Sequence, residues 1–398
     1  MSGMLVAARQ GLSRYHSENA MNSGTLADAN RAVALMPGDP EAHYARAVLL
    51  RSRGELAAAI EELDEAAQLR PNDYFLWQEL ASLRDYSGDS ERAVADARVA
   101  VRLAPFYAFP RWQLGNLLLR AGQLEEAFVQ LGRAAESDPE LLNSTVDLAY
   151  SFYGEDVTAI ENALQLQSPA FQQALVQSMI KWGHPRVAAR VIDSLSTLSD
   201  QQRANLVGQF LTLKYFDEAF ELWNKNGTRG AVGATTDSGF EGTIIHDEPG
   251  FGWQLDNRAE TVIVSLDSGE AFDGQQSLMI RFAGDSEPSF SLIAQLVKVE
   301  PNARYLLSFA ARTHDLITGG APVLVVAAAE AGDSTIIGSS EPLPLGTSDW
   351  QKYTVEFRTS ELNKAVRIIV RRQQCSEAPC PAFGRVWIDD VALRQLSD

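Results

Sequence analysis

Leu56-Ala57-Ala58-Ala59-Ile60-Glu61-Glu62-Leu63-Asp64-Glu65-Ala66-Ala67-Gln68-Leu69-Arg70-Pro71 has a helical apolar spacing that stops at a proline. Its markers return at a fixed interval. Ala59, Ala93 and Ala127 form one column, Ala66, Ala100 and Ala134 a second, and Pro37, Pro71, Pro105 and Pro139 a third, each step being 34 residues. Gly54, Gly88 and Gly122 keep the same step and mark a turn ahead of each such helix. Each unit is therefore expected to be a helix, a glycine turn, a second helix and a stopping proline. Leu49, Leu56, Ile60, Leu63 and Leu69 make an apolar stripe that one pair cannot bury alone, so neighbouring pairs must stack.

Trp77-x2-Leu80-Ala81 and Leu114-Gly115 complete a pattern that resembles the tetratricopeptide repeat, specifically over about 20–140 and in degenerate pairs over 141–226. The helices expected in that second stretch are Leu142–Phe152, Thr158–Leu166, Pro169–Trp182, Pro185–Leu195, Asp200–Leu213 and Phe216–Asn224. The resemblance implies a superhelix whose inner surface, lined by first helices, holds a peptide or a partner helix. The inward positions are Tyr44, Val48, Arg51, Phe75, Gln78, Ser82, Tyr86, Phe109, Trp112, Asn116 and Arg120. They are read either as a partner groove or as rings packed between repeats. A carboxylate clamp of the chaperone-binding kind is not expected, because Trp112 stands where that clamp has a lysine.

At residues 227–235 the helical period ends in a glycine- and threonine-rich linker. Beyond it, over 236–398, the period is two, in Thr261–Leu266, Ser277–Phe282, Ser289–Val299, Arg304–Arg312, Pro322–Ala328, Lys352–Arg358, Ala365–Arg371 and Arg385–Leu393. The expected fold class is thus an α-solenoid followed by an antiparallel β-sandwich of jelly-roll type. Five segments in order, Asp237–Glu241 with Gly252-Trp253, Phe272–Leu278, Val299–Phe309, Thr347–Tyr353 and Val386–Leu393, resemble the galactose-binding-like carbohydrate-binding modules of families 4, 9 and 22. That resemblance places Trp253, Tyr305, Phe309 and Trp350 in the core. It also implies a structural Ca2+ held by Glu241, the loop Asp273-Gly274, and Asp390 or Asp389; the bland reading is solvated carboxylates at strand ends. Arg281, Gln295, Arg312 and Arg371 are read as a polar row for acidic sugars or as a solvated strand face.

The chain carries 34 basic and 52 acidic residues, a net charge of -18, divided as 20 against 29 over 1–226 and 14 against 23 beyond. Nucleic acid is not an expected partner. No apolar run is long enough to span a bilayer. Cys375 and Cys380 flank a turn-rich stretch between two strands, read as a disulfide across a hairpin loop and hence an oxidising compartment, or as two reduced thiols in the cytoplasm. The first reading expects a periplasmic or extracellular protein with an export signal or anchor ahead of Met1. No nucleotide loop, zincin motif or nucleophile elbow is present, and His16, His43, His184, His246 and His314 lack metal-ligand spacing. The expectation is a non-enzymatic envelope scaffold that binds a protein partner and glycan, in assembly or export of an extracellular polysaccharide. The alternative is a pure protein–protein assembly factor.

Overall fold

The computed structural model describes residues 2–195, 198–225, 227, 229–242, 244, 249–255, 261–377 and 379–397. The chain divides into two compact units, Met1–Val191 and Ile192–Asp398. The described residues form helices first and strands afterwards, the expected fold class.

In the first unit, paired helices follow the repeat: α1 (Ser2–Ser23) and α2 (Leu26–Leu35), α3 (Pro40–Ser52) and α4 (Leu56–Leu69), α5 (Tyr74–Tyr86) and α6 (Ser90–Leu103), α7 (Ala108–Arg120) and α8 (Leu124–Ser137), then α9 (Leu142–Tyr153), α10 (Val157–Leu164), α11 (Pro169–Lys181) and most of α12 (Pro185–Ser194), whose last turn falls past the division at Val191. The six column alanines are fully buried, because a side chain larger than a methyl would hold the paired helices apart. At Gly132 of α8 even a methyl is too large: a Cβ there would lie 2.2 Å from the Leu164 carbonyl oxygen of α10. Gly54, Gly88 and Gly122 have φ of +77°, +90° and +74°, a turn geometry that L residues avoid. Asp39 and Asp73 accept the backbone N–H of Glu41 and Phe75 and so start α3 and α5.

The second unit begins upstream of the expected linker, since α13 (Asp200–Thr212) and α14 (Phe216–Trp223) cluster with the strands. Two sheets follow, built from β1 (Trp253–Leu255), β2 (Val262–Asp267), β3 (Ser277–Asp285), β4 (Ile293–Lys298), β5 (Arg304–Thr318), β6 (Pro322–Ala328), β7 (Ile336–Ser339), β8 (Gly346–Arg358), β9 (Ala365–Arg372) and β10 (Pro381–Leu396). Their orders are β1-β4-β9-β6-β7 and β2-β3-β10-β5-β8, all neighbours antiparallel. Alternate residues from the two inner faces, among them Leu278, Ile280, Tyr305, Leu307, Phe309, Val366, Ile368 and Val386, make one core. Trp253 belongs to it. Trp350 does not: it is half-buried beside Phe272, with ring centroids 5.8 Å apart. The connection holding the cysteines is not a hairpin either, because β9 and β10 lie in different sheets and the loop crosses between them.

Asp217 at the start of α14 receives Lys298 (2.9 Å) at the end of β4 and Lys364 (2.6 Å) just before β9. Phe220 and Trp223 of α14 pack on Phe251, with centroids 5.0 and 5.5 Å apart. Burial alone would raise the Asp217 carboxyl, but the two ammonium groups outweigh it and hold it below the usual carboxylate range. Its contribution to stability is therefore present above the unfolded carboxyl pKa of about 3.9 and is lost as pH falls through the lower folded value. Asp217→Asn leaves Lys298 nearly buried without its counter-charge, which costs about 2 kcal/mol. Thermal melting of the two proteins should differ at pH 7, begin to draw together only below about pH 4, and coincide once pH has fallen past the lower folded value; equal melting at pH 7 would mean that the clamp contributes nothing.

Candidate functional site

Two surfaces hold the residues expected to bind. On the first helices of the array, many of them bind each other. Arg51 of α3 pairs with Glu79 of α5 (2.9 Å), and Arg120 of α7 pairs with Asp85 of α5 (2.7 Å). Gln113 of α7 donates to Ser82 Oγ (2.7 Å) and to the carbonyl of Gln78 (3.0 Å), whose own side chain is buried. Asn116 donates to the Trp112 carbonyl one turn back. Tyr44 and Phe75 meet edge to face at 5.7 Å, and burial, reinforced by the Glu79 carboxylate, pushes the Tyr44 phenol up. These bonds fix the spacing of successive first helices. Tyr86 and Phe109 remain open, 78% and 60% exposed, and so offer apolar area to a partner. The sequence reading missed Gln113, whose role depends on which first helix lies beside it, and the exposed pair Phe106 and Tyr107 in the turn before α7.

In the sandwich, four of the five residues expected around a cation share one knot. Glu241 Oε1 accepts the backbone N–H of Gln275 (2.7 Å) and Gln276 (3.3 Å). Asp389 is fully buried; its Oδ2 accepts from Phe272 (2.8 Å) and Asp273 (3.1 Å), and its Oδ1 from Asp390 (2.7 Å). Burial pushes its carboxyl up, against the pull of those N–H groups. Gly274 has φ +74°, and a Cβ there would fall 2.0 Å from Glu241 Oε1, so only glycine lets the loop close on that carboxylate. Asp273 Oδ1 accepts from Gly274 N (3.0 Å). Asp390 stands apart: at φ +50° in a bulge of β10 it turns toward Lys352 (3.3 Å). Two carboxylates with the carbonyls of Phe240 and Gly242 nearby are hard oxygen donors of the kind Ca2+ takes. Among the described residues, however, no three Asp, Glu, His or Cys side chains come together as a metal-binding group.

The polar row expected for sugars is not one row. Arg281 and Arg312 lie on β3 and β5 of one sheet, Gln295 and Arg371 on β4 and β9 of the other. Gln295 is fully buried and bonded to Thr236 through N, O and Oγ1. Arg312 pairs with Glu270 and lies over Trp387, whose Nε1 donates to Asp267 Oδ2 (2.8 Å). That hydrogen bond, with a second from the Gly269 N–H, holds the Asp267 carboxyl low. One strand's alternation tells which residues face outward but not which strands become neighbours, and this split the row. Cys375 and Cys380 are joined as a disulfide, with Cα atoms 5.8 Å apart. The buried Arg372 anchors their loop by donating to the Cys380 carbonyl (2.6 Å), Thr318 Oγ1 (2.9 Å) and Ser286 Oγ (2.8 Å).

The tetratricopeptide-repeat family profile matches residues 40–83, which span α3, its turn and α4 and reach into α5. The N-terminal region carries tetratricopeptide repeats. Such repeats serve as scaffolds for protein–protein interaction. Over 101 residues the chain is 29% identical to DnaJ homolog subfamily C member 3 of Homo sapiens, covering 25% of this chain and 20% of that protein. Over 112 residues it is 32% identical to TPR repeat-containing thioredoxin TTL4 of Arabidopsis thaliana, covering 28% and 16%. The chain thus spans a fifth or less of these curated relatives. Among solved structures, MamA (residue 41 to the end) from Desulfovibrio magneticus RS-1 is similar at 18% identity and a TM-score of 0.32, over 46% of this chain and 92% of that one. YrrB, described as a TPR protein with an unusual peptide-binding site, gives 17%, 0.34, 46% and 90%. A structure titled "CBM4 structure and function" gives 14%, 0.30, 40% and 99%. TM-scores this low carry no functional information.

Proposed function

We propose that this chain is a binding scaffold rather than a catalyst, its helical array holding a protein partner and its β-sandwich holding glycan. The observation that supports the first half is the exposure of Tyr86 and Phe109 on first helices, where neighbouring Arg51, Gln78 and Arg120 are already engaged. Large rings on a surface otherwise tied up in cross-links are the anchors that a partner's side chains fill. The Cys375–Cys380 disulfide supports an oxidising compartment, and we place the chain in the cell envelope, in assembly or export of an extracellular polysaccharide. A second reading, an assembly factor whose sandwich takes no sugar, draws support from α14, which uses one end of the sandwich as its packing partner.

Tyr86→Ala with Phe109→Ala removes the open rings from exposed positions, so folding should be unaffected. Affinity capture followed by mass spectrometry is expected to lose specific partners, with a weakening of tenfold or more for each one measured. An unchanged partner set at unchanged affinity rejects the groove. A structural Ca2+ at Glu241 and Asp389 is a further part of the proposal. It predicts that millimolar Ca2+ raises the melting temperature of chelator-treated protein by several degrees, and identical melting in calcium and in chelator removes the ion from the account.

A further inference from the structure

The two faces of the sandwich are unequal. Strand β6 is buried along its whole length and β4 and β9 nearly so, leaving that sheet little free surface. The outer face of the β2-β3-β10-β5-β8 sheet is open, and register puts a row across four of its strands: Ile263, Arg281, Arg385 and His314 are successive cross-strand partners. Arg281 and Arg385 are exposed and directly opposite each other, at the roughly 5 Å separation of a cross-strand pair. Like charges placed this way repel. Neither guanidinium has a hydrogen-bond or ion-pair partner among the described residues, although the chain has 18 acidic groups in excess. The nearby acids hydrogen-bond or pair elsewhere, Asp267 with Trp387 and Gly269, Glu270 with Arg312 and Asp315 with His314, and the Arg385 charge reaches Asp267 only at longer range, as the smallest of the causes that hold its carboxyl low.

One step along the same face lies an apolar row. Phe383 is the partner of Ala283 on one side and Ile317 on the other, and Phe383 and Ile317 are 47% and 67% exposed. Both border an open hollow of about 520 Å³, lined also by Leu345 and the cysteine loop. A cationic pair beside an exposed ring has a matching ligand: a pyranose presents one apolar face, and a uronic acid adds a carboxylate at its edge.

We infer that this face binds a carboxylate-bearing glycan, Arg281 and Arg385 holding the carboxylate of a uronic-acid unit while Phe383 and Ile317 receive the apolar face of the ring. The inference rests on the glycan half of the proposed function and names its ligand class. An acidic peptide is disfavoured, because β3, β10 and β5 are each hydrogen-bonded on both sides and offer no free edge to a peptide backbone.

The test is calorimetric titration of the full chain with polygalacturonate, dextran and polyglutamate. Polygalacturonate should bind, weaken as salt rises, and weaken at least tenfold in Arg281→Gln with Arg385→Gln. Melting of that variant should be unchanged or higher, since a repulsion is relieved. Phe383→Ala should weaken binding while leaving its salt dependence intact. Dextran bound as tightly as polygalacturonate, with the arginine variant unaffected, overturns the inference and leaves the glycan reading standing. Polyglutamate bound as tightly as the polyuronate reduces the face to a charge patch and overturns the sugar assignment. No saccharide bound at all overturns both.

Discussion

A pair of antiparallel helices of this sequence cannot cover its own apolar stripe, so every pair needs a neighbour. The need sets the repeat. Fully buried alanines at 59, 66, 93, 100, 127 and 134 let helices approach closely, and Gly132 lets α8 come within a Cβ's width of the α10 backbone. For the pair α13–α14 the neighbour is the sandwich. Asp217 draws in two lysines from the strand ends, and Trp223 lies so near the following loop that a Cβ at Gly250 would be 2.4 Å from its Nε1. A helix pair of the repeat type is thus built into the β unit.

That arrangement decides which surfaces remain for binding. One sheet is largely buried on both faces, and the first helices of the array spend much of their polar equipment on each other. Among the groups that stay open are Tyr86 and Phe109 on the array and, on the free sheet, Arg281 and Arg385, which have no hydrogen-bond or ion-pair partner among the described residues and lie beside the exposed Phe383. Glu241 and Asp389 belong to a different task. They hold the 272–276 loop through its backbone N–H groups, the buried Asp389 from beneath and the exposed Glu241 from the surface, and so fix one loop conformation.

Much of this was legible in the sequence where a physical requirement repeats. The proline and alanine columns gave the helices through α8, and apolar periodicity gave α9 to α14 within two residues at each end. Eight strands were readable from alternation. Among the described residues two strands were missed, Trp253–Leu255 and Ile336–Ser339, which have three and four residues, too few for a period of two to show. Quantities set by pairing were not legible. Whether Gln295 and Arg281 share a sheet and whether the cysteine loop is a hairpin or a crossover depend on strand order, which no single strand encodes; Trp350, in contrast, could have been placed outward, because it is opposite in parity to the core residues Tyr353, Val355 and Phe357 of its own strand. Arg385 could have been placed outward from the alternation of Arg385, Val386, Trp387 and Ile388, yet its position opposite Arg281 emerges only from register.

If α13 and α14 are part of the β unit, they must open with it. Native-state hydrogen exchange of the full chain, read by mass spectrometry across a denaturant series, measures this directly. Amides of 200–223 should share the opening free energy and denaturant dependence of the sandwich strands β4 and β9, at values distinct from those of α3–α8. Exchange of 200–223 in step with the array, while the strands stay protected, would contradict the account.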